Sequence, residues 1–273
     1  MSDMLEMEVW QSNRLVEAAQ TLTLNEKRLV LAAAALHDPR RPLPAKGTVT
    51  FHVDDFASVF GITSNTRYEA LADATRRLYN RTIRTIADSP RGKGKRKITD
   101  VRWVWMAEYN EGAATVTLGF SPAVAPYLTM LQAEFTRFKL KQIGNIGSFY
   151  GLRLYELFCQ YRRAGERTES LERMREMLDV TDKYPRLDSL RARVLDPAIK
   201  EINRFTDLQV TMTAMKRGRS VTHLRFKITE NDQLSLDLQE NGVVPIEHET
   251  PTDSGSRSTA KRGSRRRVAA TAH

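Results

Sequence analysis

The chain has 273 residues, 41% of them hydrophobic, a formal net charge of +10 and a single cysteine. That length supports one large domain or two small ones with a real core; no apolar run reaches the roughly 18 residues that a membrane span needs, and one cysteine without a Cys/His cluster excludes an internal disulfide and a zinc site. The opening, Met1 to Glu8, carries Asp3, Glu6 and Glu8 and no basic side chain, which does not fit a signal peptide and predicts a cytoplasmic protein.

From about Val9 to Leu36 the pattern is helical, with Leu15, Ala18, Ala19 and Leu22 at helical spacing. Thr23-Leu-Asn-Glu26 reads as a capping box that starts a second helix, and Asp38-Pro-Arg-Arg-Pro-Leu-Pro44 breaks it. Thr48 to Val53 reads as a short strand. Asp54 to Thr63 follows as a short amphipathic helix ending at Gly61, where the chain needs a positive φ. A second helix, about Asn65 to Asn80, buries Tyr68, Leu71, Thr75 and Leu78. Helix, tight turn, helix is the helix-turn-helix pattern. Strands are expected over Thr82 to Ala87 and Ile98 to Tyr109, joined by the basic, glycine-rich loop Ser89 to Lys97, with a further strand over Ala114 to Phe120. Together these elements describe a winged helix.

The order then recurs. A long helix is predicted over Ile146 to Arg163; it contains Cys159, better read as a buried inert thiol than as a reactive one. A short amphipathic helix over Ser170 to Asp179 follows, then a helix over Leu187 to Phe205. Strands Leu208 to Met215 and Val221 to Ile228 are joined by Lys216-Arg-Gly-Arg219. Phe56-x-x-Val-Phe-Gly-Ile-Thr63 parallels Met174-x-x-Met-Leu-Asp-Val-Thr181, and Tyr68-Glu-Ala-Leu71 parallels Leu187-Asp-Ser-Leu190. The expected fold is α+β: two tandem winged-helix domains related by pseudo-duplication, residues 1–143 and 144–236, then a disordered basic tail, 237–273. Arg257, Lys261, Arg262, Arg265, Arg266 and Arg267 lie in that tail. Without those six the chain has 37 basic against 33 acidic residues, a net of +4. The folded part is therefore only mildly basic, and the tail either adds phosphate attraction or merely solubilises.

Catalytic signals are weak. Gly92-Lys-Gly-Lys95 lacks the spacing and hydroxyl of a phosphate loop. His37, His52, His223, His248 and His273 are scattered, and there is no His-x-His of a nicking enzyme. Asp54-Asp55 suits a helix N-terminus better than a metal. No enzyme, metal or cofactor is expected.

A helix that reads the major groove presents donors on its outward face near its N-terminus. In the C-terminal half, Leu187, Leu190, Val194, Ala198 and Ile202 share one face; a rotation of about 100° per residue puts Ser189, Ala192, Arg193, Asp196 and Lys200 opposite. Arg186 and Arg191 flank the start, and Pro197 predicts a kink. Arg193 is the first candidate for reading guanine. The N-terminal counterpart presents Asn65, Thr66, Glu69, Asp73, Arg76 and Asn80. Its two acids repel phosphate, so base reading falls to the first turn, Ser64, Asn65, Thr66 and Arg67, with Arg76, Arg77 and Arg81 expected on the backbone. The hairpin tips supply phosphate clamps: Lys93, Lys95, Arg96 and Lys97 in the first, Lys216, Arg217 and Arg219 in the second, with glycines that admit close approach. In Val101 to Tyr109, alternation places Trp103, Trp105 and Tyr109 on one face, either packing the N-terminal core or forming a dimer interface.

Several motifs in order carry a family resemblance: Phe149-Tyr-Gly-Leu-Arg-Leu-Tyr-Glu-Leu-Phe-Cys-Gln-Tyr161, Arg193-Val-Leu-Asp-Pro-Ala-Ile-Lys-Glu-Ile-Asn203 leading into Thr206-Asp-Leu208, Lys216-Arg-Gly-Arg219, and the opening Asn13-Arg-Leu-Val-Glu-Ala-Ala with Leu22-Thr-Leu-Asn-Glu26. From about residue 10 to 230 the chain resembles the iteron-binding plasmid replication initiators. The resemblance implies sequence-specific binding of double-stranded DNA at origin direct repeats by monomers. It implies dimers, joined through the N-terminal domain, that bind an operator inverted repeat and repress the chain's own gene. Host initiator, helicase and chaperones are implied partners, and Arg186 to Lys200 corresponds to the main recognition helix. The competing readings are a plasmid- or phage-encoded winged-helix repressor without initiator activity and, further off, a DNA nickase.

Overall fold

The computed structural model describes residues 3–43, 47–63, 67–88 and 96–231. Ser64, Asn65, Thr66, Lys93, Lys95 and the tail lie outside them, and Arg96 is described as backbone only. The first stretch is not one helical region. It forms strand β1 (Glu8–Ser12), helix α1 (Asn13–Glu17), the two-residue strand β2 (Ala19–Gln20) and helix α2 (Leu24–Ala35). Residues 8–12 become a strand because Phe135–Lys139 supplies an antiparallel partner; Val9 and Gln11 then point inward and Glu8 and Trp10 outward, with period two. Ser12 caps α1 at the Leu15 N–H. The capping box at Thr23 forms as spaced: Thr23 Oγ1 accepts from Glu26 N, and Thr23 N donates 2.9 Å to Glu26 Oε2.

Strand β3 (Thr48–His52), helices α3 (Val53–Val59) and α4 (Arg67–Leu78), and the hairpin β4 (Thr82–Asp88) and β5 (Arg96–Arg102) complete the first winged helix. The expected single strand Ile98 to Tyr109 is broken at Trp103. β5 joins β2 and β4, whereas β6 (Val104–Asn110) pairs with β7 (Thr115–Phe120) in a separate sheet of order β3-β7-β6. A register shift between Val104 and Met106 reverses the alternation there. The last N-terminal strand is β8 (Phe135–Lys139), the partner of β1.

Helix α5 (Phe149–Cys159) opens the second half, followed by β9 (Glu166–Ser170), α6 (Leu171–Met177), α7 (Leu187–Leu190), a π turn over 191–195, α8 (Asp196–Phe205) and the hairpin β10 (Leu208–Arg217) and β11 (Ser220–Glu230). β9 covers the β11 edge. The kink expected at Pro197 takes the form of the π turn. Pro197 has no N–H for the Arg193 carbonyl, and the turn widens so that Asp196 N–H reaches Arg191 O, five residues back.

The parallel drawn between the two halves has a backbone basis. Helix α3 ends with Ile62 N–H bonded to Ala57 O, and α6 with Val180 N–H bonded to Arg175 O, five residues back in both. Both turns require one residue of positive φ, Gly61 at 60° and Asp179 at 54°. This is one helix-ending motif used twice. Only in the N-terminal half does it carry the glycine that tolerates it best. Helix α5 is buried along almost its whole length and packs on α8 and on α2, so it belongs to both cores.

Candidate nucleic-acid interface

On the C-terminal side, apolar periodicity fixes the helix. Leu190, Val194, Ala198 and Ile202 are fully buried, and Arg193, Asp196 and Lys200 face solvent as expected. Arg193 and Lys200 have no partner among the described residues. Arg191 holds Asp196 at 3.3 Å and Arg186 holds Asp188 at 3.5 Å, both pairs exposed. Ser189 is half-buried. Such exposed pairs cost little to open, so a polyanion can recruit both arginines. The hairpin tip leaves Lys216, Arg217 and Arg219 exposed. Between helix and hairpin runs an open groove of about 460 Å³, lined by Arg191, Lys200, Arg204, Gln209 and Met212 among others. Arg204 and Gln209 were not among the sequence candidates. Arg204 follows Lys200 by four residues, so continuing the same helical face one turn further finds it.

The N-terminal side is arranged differently. Arg67 bonds Asp54 Oδ1 and the Tyr68 hydroxyl, both at 3.2 Å, and stacks on the Tyr68 ring. Arg76 pairs with Asp73 at the surface. Arg77 and Arg81, expected on the DNA backbone, both reach the fully buried Glu26. Arg81 is bidentate at 2.8 and 3.0 Å, and Arg77 adds a bond of 3.2 Å. The sequence face had no means of showing this, because Glu26 lies about fifty residues away and reads as a capping residue. Lys97 is exposed on β5. Arg84 is committed to Asp100 across the β4–β5 pair.

The register shift at β6 divides the aromatic group. Trp103 is fully buried and Tyr109 half-buried, while Trp105 is 46% exposed. Trp103 is therefore core, and the expectation that Trp103 and Trp105 share one face is corrected by the break between β5 and β6. Among the described residues no group of three or more His, Cys, Asp and Glu is placed to hold a metal, and no helix is long and apolar enough to cross a membrane. Cys159 is half-buried rather than buried as expected; its surroundings push the thiol up to about 12, which keeps it protonated at neutral pH.

Two helix-turn-helix units in series, each followed by a hairpin and the second presenting unpaired cations, define a tandem winged-helix protein of the DNA-reading type. The chain belongs to the initiator replication protein family: residues 8–159 match "Initiator Replication protein, WH1" and residues 170–228 match "Initiator Rep protein, WH2". It is similar to a "Replication initiation protein" of Escherichia coli, 28% identical over 272 residues that cover 96% of this chain and 83% of that one. It is also similar to the "PI protein" of Escherichia coli, 22% identical over 255 residues, 82% of this chain and 84% of that one. The solved structure "Crystal structure of Pi initiator protein in complex with iteron DNA" shares the fold with a TM-score of 0.70 at 22% identity, covering 82% of this chain and 97% of that one.

Proposed function

We propose that this chain initiates plasmid replication by binding direct repeats at the origin, double-stranded and in sequence-specific fashion, and by helping to open the origin for host replication proteins. The observation that carries this reading is the unpaired Arg193 and Lys200 on a helix whose other face is buried, beside an exposed basic hairpin tip, in a chain of the initiator family. Donors on that face suit base edges, and the hairpin cations suit phosphates. Recruitment of a host initiator and helicase, chaperone-assisted conversion of dimer to monomer, and repression of its own gene by a dimer at an inverted repeat complete the proposal. The exposed Trp105 on the edge strand β6 belongs to the surface on which such a dimer would form. The protein acts in the bacterial cytoplasm and has no catalytic activity of its own.

A plasmid carrying this gene, its flanking DNA and a selectable marker tests the reading. It should replicate in a suitable host and stop replicating when the gene is frameshifted and restored in trans only as Arg193→Ala. Failure of the intact plasmid to replicate, with repression of the promoter retained, would leave a repressor. Incubation of supercoiled origin DNA with protein and magnesium should yield no nicked circle; nicking at a fixed site would make the protein an enzyme.

A further inference from the structure

The helix that presents Arg193 does not follow a regular helical phase. Along it Leu190, Val194, Leu195, Ala198, Ile199 and Ile202 are buried. On a regular helix, at about 100° per residue, these positions span about half the circumference. Arg191 then falls in the middle of that arc, between Ala198 and Ile202, and Leu190 falls at its rim. A guanidinium so placed would lose its water inside an apolar layer. The structure shows the reverse: Leu190 is fully buried, and the Arg191 side chain is 47% exposed. The π turn over 191–195 makes the exchange. Such a turn holds one residue more than an α turn, so it shifts the phase of the helix before it by about 100° against the helix after it. Leu190 moves to the centre of the buried arc and Arg191 to its solvent edge. Ala192, exposed, takes the middle of the outer face, with Arg191 and Arg193 to either side.

Two residues favour the turn. Pro197 has no N–H to give to the Arg193 carbonyl, so a regular α turn would lack a bond there. Asp196 holds Arg191 at 3.3 Å. Residues five apart point about 140° away from each other on an α-helix, whereas a π turn stacks them. The pair lines the groove between α8 and the hairpin, together with Lys200 and Gln209. Both side chains are about half exposed, so the carboxylate steers Arg191 without retiring it. We propose that the π turn sets which base pairs this helix reads: it turns Arg191 out of the core as a second reader beside Arg193, with Asp196 and Pro197 as its positioning residues. The proposal rests on the reading that this helix lies in the major groove. Splayed to the two sides of Ala192, the two arginines address different base pairs, each through the bidentate contact that a guanidinium makes with guanine. A regular helix of the same sequence would offer the groove only Arg193.

The test uses the full chain and fluorescence anisotropy on duplexes holding one origin repeat, with each base pair replaced in turn, beside a scrambled duplex. Replacing the base pair that either arginine reads should cost the wild type about ten-fold in affinity. Arg193→Ala should become indifferent to one such base pair and Arg191→Ala to another. Asp196→Asn removes a carboxylate from the DNA face, so it should bind the scrambled duplex more tightly, yet lose roughly three-fold in the ratio of repeat to scrambled affinity. Pro197→Ala restores a helical N–H and should raise the urea midpoint. It should also lose discrimination at the Arg191 base pair and keep it at the Arg193 one. Arg191→Ala with wild-type preferences at every base pair overturns the assignment. So does Asp196→Asn that gains equally on both duplexes, or Pro197→Ala that discriminates as the wild type does. All four substitutions fall at exposed positions, so folded proteins are compared. A wild type that binds the repeat no better than the scrambled duplex overturns the initiator reading itself, and the assignment with it.

Discussion

The two winged helices share a chain order and even a helix-ending turn, yet they use their arginines in opposite ways. At the end of α4, Arg77 and Arg81 turn inward to Glu26, and at its start Arg67 is held by Asp54 and Tyr68. Along α7 and α8, Arg193 and Lys200 stand in solvent without partners among the described residues, and Arg191 has only an exposed carboxylate. The difference teaches that a cation on a recognition helix is not by itself a DNA contact. What matters is whether the interior offers it a buried acid. The N-terminal half does, because α2 brings Glu26 under α4; in the C-terminal half the buried Asp207 is already taken by Tyr155 and Arg162, and the half-buried Glu201 of α8 by the backbone and hydroxyl at the start of α5.

The largest effect that sharpens this contrast is on stability. Glu26→Ala removes a capping box and the common acceptor of two arginines. The arginines left behind are 52% and 30% exposed, so the loss is that of a cap and of charge-assisted hydrogen bonds, about 2–3 kcal/mol, read in urea denaturation at pH 7. A loss below 1 kcal/mol would mean that Glu26 is not the anchor of α4. Arg81→Ala should likewise cost stability before it costs affinity per folded molecule. On the other side, Arg193→Ala should leave the urea midpoint in place and weaken specific binding by about 1–3 kcal/mol. If Arg67→Ala weakens binding more than Arg193→Ala at equal folded fraction, the ranking of the two halves is reversed.

Periodicity made the second recognition helix legible. Leu190, Val194, Ala198 and Ile202 share a face in the sequence and in the core, and the outward positions follow by rotation. In the N-terminal half Gly61 marked the turn between the helices, and the matching turn at Asp179 was legible only through alignment of the two halves, since aspartate marks a positive φ far less strongly than glycine. Long-range partners were out of reach. Residues 9–12 read as helix until Phe135–Lys139 supplied a strand partner over a hundred residues on. Glu26 read as a local cap while also serving Arg77 and Arg81. The register shift that separates Trp103 from Trp105 has no signature in an alternating sequence. What is missed in each case is a tertiary contact that overrides a correct local pattern.

A weaker effect separates the arginines by their response to salt. Arg217→Ala, at the second hairpin tip, should lower the slope of log affinity against log salt by about 1, as expected for one lost phosphate contact. Arg77→Ala should change that slope much less, since its guanidinium is engaged with Glu26. Equal slope changes would put Arg77 on DNA after all.

The smallest effect probes the buried cation of the N-terminal half directly. Burial lowers the Lys27 ammonium to about 8, against 10.5 for the free side chain. The folded chain then gives up a proton that the unfolded chain keeps, so Lys27 raises stability as pH climbs from about 8 toward 10.5. Cys159 works the other way: the folded chain holds its thiol proton to about 12 while the unfolded chain loses it above 9, so stability falls above pH 9 on its account. Between pH 7.5 and 9 the effect of the lysine should dominate. Wild type should gain about 1 kcal/mol over Lys27→Met across that interval, read as the change in the difference of their urea midpoints. An unchanged difference would mean that Lys27 stays fully charged through pH 9, and that Glu156 offsets its burial more completely than the geometry implies.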